Sequence, residues 1–177
     1  MIFETERLIL RGWLPDDLDD LYEYAQNPDA GAMQGWKPHE SKEESLAALN
    51  TFIADDERWA IVFKENGKTI GSIKLSPDTN RGRYNARYVS YVLSADYWGK
   101  GCMPEALSRI IRYAFEDMRL DLLSAFHYPH NTRSKRVLEK CGFQYETTVK
   151  NGQTIYNGQV FDTVCYSILS EAYFQQA

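Results

Sequence analysis

The stretch from Tyr97 to Leu107, which reads Tyr-Trp-Gly-Lys-Gly-Cys-Met-Pro-Glu-Ala-Leu, constrains the fold of this chain more than any other. The residues before it, from Ala86 to Ser94, are rich in β-branched and aromatic side chains, as is typical of a strand. Pro104 suits the first position of a helix, where its missing N–H would have no partner in any case. The apolar residues that follow share one helical face: Ala106, Leu107, Ile110, Ile111, Ala114 and Phe115. We therefore predict a strand, a glycine turn and a helix in direct succession.

A glycine turn that leads into a helix is a favourable site for a phosphate group. The first N–H groups of a helix have no intrahelical partner, and the helix dipole adds partial positive charge there. Two common phosphate motifs do not fit this turn. A nucleotide P-loop requires glycine where Ser94 stands and serine or threonine where Gly101 stands. A dinucleotide fingerprint requires a small residue in place of Pro104. A glycine turn without a ligand is the alternative interpretation.

The same stretch resembles the pyrophosphate loop of the GNAT acetyltransferases, which bind coenzyme A through the pattern Gln/Arg-x-x-Gly-x-Gly/Ala. Gly101 matches the central glycine, and Gly99 matches the additional glycine of the RimJ/RimL-type branch. Trp98 stands where Gln or Arg is usual, and Met103 stands where Gly or Ala is usual. The resemblance implies that the pyrophosphate of acetyl-CoA is bound by the residues Gly99, Lys100, Gly101, Cys102 and Met103.

A second motif runs from Asn131 to Phe143 and resembles the GNAT wording Asn-x-x-Ser-x-x-Val-Leu-Glu-Lys-x-Gly-Phe. It follows the central helix after one strand, as it does in the family. The resemblance implies that Asn131 contacts the coenzyme A arm and that Ser134 lies near the coenzyme sulfur. A purely structural interpretation is a helix that Asn131 caps and Gly142 terminates.

Two further segments extend the resemblance to nearly all 177 residues. The segment Thr5–Arg11 looks like the opening strand of the family, and Gly158, Asp162 and Tyr166 look like its closing strand. The chain is thus identified as a member of the GNAT superfamily, of the RimJ/RimL type. This implies a mixed α/β (α+β) GNAT fold, with a mostly antiparallel central sheet of about 6–7 strands and about four flanking helices. We expect a single N-acetyltransferase domain over residues 1–177.

The pattern along the chain predicts the individual elements. Strands are predicted at Arg7–Trp13, Trp59–Phe63, Thr69–Leu75, Ala86–Ser94 and Leu122–Tyr128. Helices are predicted to begin at Pro15 and at Ser41, where Ser41 and Glu44 form a capping box, with the segment Ala30–Glu40 as a loop between them. The second of these helices is expected to present Leu46, Leu49, Phe52 and Ile53 on one face. Near the C-terminus, Asn157-Gly158 is predicted as a hairpin turn and Asn151-Gly152 as a bulge.

Composition narrows the class of function. A net charge of −5 disfavours a broad nucleic-acid surface. The three cysteines are odd in number and lack metal-ligand spacing, so they fit a reducing cytoplasm and no metal site. The N-terminus lacks the apolar core of a signal peptide, and no apolar run approaches the ~18 residues of a membrane span. We therefore expect a cytoplasmic protein, as a monomer or homodimer, without a nucleic-acid or membrane partner.

Acetyl transfer to an amine requires a held thioester, a polarised carbonyl, a neutral amine and a protonated leaving thiolate. In the family, backbone groups near the strand end, here Leu93, hold the pantetheine and can stabilise the developing oxyanion. Ser134 is the candidate that hydrogen-bonds or protonates the thiolate, with Tyr128 as the alternative donor. Four residues are candidates for the general base, and none is assigned: His127, His130, His39 and Glu146.

The acceptor side is predicted at Trp36 and His39, because this segment resembles the acceptor segment of the family. Packing of Trp36 against the core explains the same residues equally well. The function predicted is acetyl-CoA-dependent N-acetylation of a primary amine, with a protein N-terminal α-amine as the acceptor. Two alternatives stay open: acetylation of a small amine such as a polyamine, amino acid or antibiotic, and a non-catalytic acyl-CoA-binding domain.

Overall fold

The computed structural model describes residues 1–176, which form one mixed sheet of eight strands with α-helices. The strands are β1 (Phe3–Glu4), β2 (Leu8–Arg11), β3 (Arg58–Phe63), β4 (Thr69–Pro77), β5 (Ala86–Leu93), β6 (Leu122–His127), β7 (Gln144–Thr154) and β8 (Val160–Leu169). Their order in the sheet is β1-β2-β3-β4-β5-β6-β8-β7. Strands β5 and β6 run parallel. Strands β1 to β4 pair antiparallel in succession, and so do β6, β8 and β7.

The helices are α1 (Leu18–Ala25), α2 (Pro28–Gln34), α3 (Lys42–Ile53), α4 (Cys102–Arg112), α5 (Thr132–Lys140) and α6 (Ser170–Gln176). Helix α4 continues into a π-helical turn at Tyr113–Asp117, and short 3₁₀ helices lie at Pro15–Asp17, Thr79–Arg81 and Ala95–Tyr97. The predicted fold class is confirmed. The described residues contain more strands and helices than predicted, because β1, α2 and α6 are short elements with little periodicity of their own.

The chain forms two compact units. Unit one contains Met1–Lys74 and Tyr91–Ala106, and unit two contains Leu75–Ser90 and the remainder of the chain from Leu107. The expectation of a single domain stays a prediction.

The core of unit one is built on α1, α3 and the strands that they cover. Its buried residues are Trp13, Leu21, Tyr24, Ala25, Leu49 and Ala60, and Leu18, Trp36, Phe52 and Val92 pack against them. Trp13 follows β2 rather than ending it, so the predicted first strand, Arg7–Trp13, is too long at its C-terminal end. Helix α1 places Leu21, Tyr24 and Ala25 on its buried side, at the spacing of one helical face.

Two helices of unit one also differ from the prediction. The segment Ala30–Glu40 was expected to be a loop, but α2 covers its first part, because the Asn27 side chain accepts a hydrogen bond from the Asp29 N–H and Pro28 occupies the first helical position. The predicted face of α3 is right for Leu49, which is buried, and for Phe52, which packs against the core, but it is wrong for Leu46 and Ile53, which are exposed. One half of the predicted capping box forms: the Ser41 hydroxyl accepts from the Glu44 N–H at 3.3 Å. The Glu44 carboxylate accepts from the Glu40 N–H at 2.7 Å rather than from the Ser41 N–H.

In unit two, local sequence signals give the observed turns. Helix α5 ends at a left-handed Gly142, with the Gly142 N–H bonded to the Glu139 carbonyl and the Phe143 N–H bonded to the Leu138 carbonyl. The hairpin of β7 and β8 turns at Asn157-Gly158, and its register shifts between Val149 and Gln153. Both the turn and the bulge are therefore confirmed.

Candidate active site

The glycine loop, residues 95–101, leads directly into α4. Gly99 and Gly101 have φ values of 74° and 81°, which L-residues rarely adopt. The Glu105 N–H donates to the Gly101 carbonyl at 3.2 Å, so Gly101 is the N-cap and Cys102 is the first helical residue. The helix thus begins two residues before Pro104, and the prediction of Pro104 at the first position is wrong. Pro104 still lies in the first turn, where a missing N–H breaks no intrahelical bond.

The start of α4 exposes backbone and buries side chains. Gly99, Lys100 and Gly101 are exposed, whereas the side chains of Cys102 and Met103 are buried. The N–H groups of Cys102 and Met103 have no intrahelical acceptor, because they belong to the first turn. These two residues can therefore contribute backbone donors to an anion site. Burial raises the pKa of the Cys102 thiol, so this residue remains protonated at neutral pH.

The N-terminal segment forms hydrogen bonds with the glycine loop and with the first turn of α4. Arg7 donates through Nε to the Glu105 carboxylate at 2.8 Å and through Nη1 to the Lys100 carbonyl at 2.8 Å. The Arg7 N–H and the Thr5 hydroxyl donate to the other carboxylate oxygen at 2.8 Å and 2.6 Å. Burial alone would raise the pKa of Glu105, but the hydrogen bonds from Thr5 and Arg7 outweigh burial and lower it. Neither Arg7 nor Glu105 is among the predicted site residues, because the two are far apart in the sequence and no local pattern joins them.

The strand end before the loop is also tied to it. The Trp98 indole N–H donates to the Leu93 carbonyl at 2.8 Å, and the Ser94 N–H donates to the Ile70 carbonyl at 2.7 Å. Trp98, which stands where the family usually has Gln or Arg, therefore serves as an internal donor. Because the Leu93 carbonyl already accepts this bond, its N–H is the stronger candidate for a contact with the pantetheine.

Trp36 and His39 come together in unit one, with ring centroids 5.7 Å apart. The Nδ1 atom of His39 lies 2.7 Å from the Ser45 hydroxyl, and the His39 N–H donates to the Ala25 carbonyl at 2.9 Å. Burial lowers the pKa of His39, which keeps its ring neutral at pH 7. Trp36 also packs against the core of unit one, so its packing role is established.

In unit two, Asn131 and Ser134 form the start of α5. The Asn131 side-chain oxygen accepts a hydrogen bond from the Ser134 N–H at 3.0 Å, and the Asn131 N–H donates to the Tyr128 carbonyl at 2.9 Å. The relative exposures of Tyr128, Asn131 and Ser134 are 6%, 5% and 8%, so water has little access to these polar groups. The predicted capping role of Asn131 is confirmed, and the three residues lie together.

Tyr128 lies in an aromatic cluster of unit two. Its ring stacks on His130 with centroids 5.7 Å apart and contacts Phe126 and Phe161. Within residues 1–176, its hydroxyl has no hydrogen-bond partner. Burial raises the pKa of Tyr128, so the hydroxyl stays protonated and is a donor rather than a base.

The base candidates of unit two differ in their environment. Both carboxylate oxygens of Glu146 accept from Arg81, and Ser167 donates to one of them, so the pKa of Glu146 is lowered chiefly by Arg81. His127 is buried, and its Nδ1–H donates to the Tyr128 carbonyl at 2.8 Å. Its Nε2 has no partner among the described residues, and burial lowers its pKa. His127 is therefore a neutral ring with a free lone pair, whereas Glu146 is a weak base in an ion pair.

Metal ligands and membrane helices are not found in the part of the chain that the structure describes. Residues 1–176 contain no group of three or more His, Cys, Asp or Glu side chains placed to hold a metal ion. Within the same residues, each helix is too short or too polar to cross a bilayer.

The family assignment follows from comparison with known proteins. The model of the acetyltransferase (GNAT) domain matches residues 7–144. The chain is 29% identical to the N-acetyltransferase YoaA of Bacillus subtilis (strain 168) over 95% of this chain and 96% of that protein. It is 32% identical to the [ribosomal protein uS5]-alanine N-acetyltransferase of Escherichia coli (strain K12), over 90% of this chain and 86% of that protein.

A solved GNAT-family acetyltransferase from Bacillus anthracis has the same fold, with a TM-score of 0.86 at 24% identity, over 97% of this chain and 99% of that chain. The chain therefore belongs to the GNAT family of acetyltransferases.

Proposed function

We propose that this protein transfers the acetyl group of acetyl-CoA to the α-amine of a protein N-terminus. The observation that carries the acetyl-CoA half of the proposal is the start of α4, where two left-handed glycines lead into a helix whose first side chains point into the core. This arrangement leaves backbone N–H groups as the donors, which suits a diphosphate. The acceptor half rests on the relative that acts on an alanine of ribosomal protein uS5.

Different residues are proposed to bind the different parts of coenzyme A. The N–H groups from Gly99 to Met103 bind the pyrophosphate, and Lys100 adds an exposed positive charge. The Leu93 N–H binds the pantetheine, since the Leu93 carbonyl is engaged by Trp98. Asn131 contacts the coenzyme arm while its side-chain oxygen caps α5.

The chemical step joins the amine nitrogen to the thioester carbonyl carbon and breaks the C–S bond. The nitrogen loses a proton, and the sulfur leaves as a thiolate that takes up a proton. Ser134 stabilises this thiolate by hydrogen bonding; a free thiol has a pKa of ~8.5, so a weak donor is sufficient. Tyr128 is the alternative donor, and its raised pKa favours a hydrogen bond over full proton transfer.

We assign no protein base to the amine. An N-terminal ammonium has a pKa of ~8, so roughly a tenth of it is neutral at pH 7, and water can accept its proton. Among the candidates of unit two, the buried Nε2 of His127 is better suited than the ion-paired Glu146. For His39, the contact between Nδ1 and Ser45 favours a role in packing.

An acceptor screen tests the proposal. Thiol release from acetyl-CoA is followed with peptides that differ in their first residue, with the same peptides blocked at the N-terminus, and with polyamines, amino acids and aminoglycosides. The expected result is release with free N-termini, strongest for a small first residue, and none with blocked peptides. Thiol release with small amines alone would show that the acceptor is a small amine and not a protein N-terminus. Binding of acetyl-CoA without release for any amine would instead indicate a binding domain.

A further inference from the structure

The N-terminal segment makes contacts with the glycine loop that the proposed chemistry does not use. Arg7 bonds at once to a loop carbonyl, that of Lys100, and to the carboxylate of Glu105 in the first turn of α4. Arg7 is partly exposed, with 39% side-chain exposure, and Glu105 is largely covered, at 18%. Such a set of bonds restricts both sides of the turn in which Gly101 lies.

We propose that Arg7 is a positioning residue that orients the N–H groups of the glycine loop towards the pyrophosphate of coenzyme A. This inference rests on the proposed function, because the pyrophosphate is the ligand that the loop would bind. Arg7 acts through the loop backbone and through Glu105, and direct contact with the phosphates is not required.

Arg7 fixes the orientation of one peptide group of the loop. The Lys100 carbonyl and the Gly101 N–H belong to the same peptide plane, and cis peptide bonds are absent from residues 1–176. In a trans peptide the C=O and N–H bonds point in opposite directions. Arg7 binds the Lys100 carbonyl at 2.8 Å, so it fixes the Gly101 N–H on the side away from the guanidinium.

Arg7 also neutralises a negative charge beside the loop. A carboxylate in the first turn of a helix is stabilised by the helix dipole, but an unpaired carboxylate would repel a diphosphate at the same helix end. The guanidinium of Arg7 pairs with Glu105 through Nε at 2.8 Å and through Nη2 at 2.7 Å. Arg7 therefore removes the repulsion as well as orienting the loop.

The space around Gly101 agrees with close support by Arg7. A Cβ atom placed on Gly101 would lie 3.3 Å from Arg7 Nη2, closer than most such contacts. The guanidinium thus packs against the loop at Gly101, the residue whose N–H it orients.

The test compares coenzyme A with pantetheine, which has the thiol arm but neither the pyrophosphate nor the nucleotide. Dissociation constants of both are measured by calorimetry for the parent and for Arg7→Lys, so no acceptor is needed. Lysine keeps the charge but cannot form the forked contact to Glu105 and reach the Lys100 carbonyl together. We expect Arg7→Lys to weaken coenzyme A about tenfold, as for the loss of one charge-assisted hydrogen bond, and to leave pantetheine within about twofold.

Arg11→Lys is the matched control. Arg11 ends β2, which Arg7 directly precedes, and it forms a forked ion pair with Asp17 at distances of 2.7 Å and 2.8 Å. This control is expected to lower the melting temperature and to keep the parental ratio of the two dissociation constants. A purely structural role of Arg7 would give the same behaviour as the control.

Three results separate the possible failures. Parental preference for coenzyme A in Arg7→Lys would overturn the positioning role and leave the proposed function intact. If the parent protein bound coenzyme A no more tightly than pantetheine, the proposal that the glycine loop binds the pyrophosphate would be wrong. If Arg7→Lys does not fold, Glu105→Gln provides the second variant, since an amide has one acceptor oxygen. It cannot accept both from the Arg7 guanidinium, as Oε2 does, and from the Arg7 N–H and the Thr5 hydroxyl, as Oε1 does. Weaker coenzyme A binding is then expected, and unchanged or tighter binding would overturn the inference.

Discussion

Asn131 has two separable roles, a helix cap and a contact to coenzyme A, and substitution can divide them. Asn131→Ala removes the side-chain oxygen that accepts from the Ser134 N–H at 3.0 Å. Loss of an N-cap costs about 1 kcal/mol in general, with a range up to about 2 kcal/mol. Because Asn131 and Ser134 are only 5% and 8% exposed, water cannot readily replace the lost acceptor, so we expect the upper end, about 2 kcal/mol. For a chain of this size, that corresponds to a fall in Tm of roughly 4–8 °C.

Asn27→Ala is the matched control for the cap. Asn27 caps α2 in the same way, with the Asp29 N–H 2.9 Å from its side-chain oxygen, but Asp29 is exposed and water can replace the lost bond. We expect a cost of only about 0.5–1 kcal/mol for this control. Urea unfolding measures both variants. Equal losses in the two variants would refute the argument that burial makes the Asn131 cap more costly.

Asn131→Asp separates the two roles. The carboxylate keeps the acceptor for the Ser134 N–H and is favourable at a helix N-terminus, so Asn131→Asp should retain more stability than Asn131→Ala. The amide donors are lost, and the Kd for acetyl-CoA measured by calorimetry should rise about tenfold or more. A stable Asn131→Asp with parental affinity would show that the residue only caps the helix.

Gly101, Ser134, Asp17 and metal dependence each give a further prediction. Gly101→Val should abolish coenzyme A binding by calorimetry, and parental binding by this variant would place the pyrophosphate elsewhere. Gly158→Val, at a similar φ of 83° in the turn between β7 and β8, should cost about 1–2 kcal/mol of stability and leave binding unchanged. Ser134→Ala should lower kcat by ~10²-fold in steady-state kinetics if the Ser134 hydroxyl acts as the general acid. If Tyr128 is the main donor instead, Tyr128→Phe should lower kcat more, and Ser134→Ala should lower it only a few-fold. Parental kcat in both folded variants, with chemistry rate-limiting, would remove both residues from the mechanism. Asp17→Asn should destabilise the protein by about 2–4 kcal/mol at pH 7. Burial alone would raise the pKa of Asp17, but its hydrogen bonds, led by that from Arg11, outweigh burial and lower this pKa in the folded protein. The stability that the Asp17 carboxylate contributes is therefore present above the unfolded pKa of ~3.9, and it is lost as the pH falls through the folded pKa. Urea unfolding should therefore give a difference from the parent that shrinks below about pH 4, and a constant difference down to pH 2 would contradict this. Transferase activity should survive exhaustive chelation, and a loss restored only by added metal would contradict a metal-free mechanism.

The parts of the site that sequence reasoning predicted depend on local chemistry. The Asn131 cap, the Gly142 terminator and the glycine turn before α4 each involve neighbours within a few residues, and residue type alone determines them. The contact of Arg7 with Glu105 joins residues 98 apart in the sequence. No local pattern predicts such a contact. The family resemblance includes the Thr-Glu-Arg segment but does not explain what its residues contact.

Local signals also failed in unit one. The segment Ala30–Glu40 is predicted as a loop, yet Asn27 caps and Pro28 opens α2, which covers the start of that segment. Leu46 fits the apolar period of α3, but it is 44% exposed because the core of unit one covers only the side of Leu49. Which side of a marginally amphipathic helix is covered depends on the tertiary structure, and the period alone does not determine it.

The site of acetylation on a peptide tests the central claim most directly. A peptide with an N-terminal alanine and one internal lysine is incubated with acetyl-CoA and the protein, and tandem mass spectrometry locates the acetyl group while released thiol is counted. The account predicts one acetyl group on the α-amine, one thiol per acetyl group and no acetylation of lysine. Acetyl on the lysine alone, or thiol release without an acetylated peptide, would contradict it.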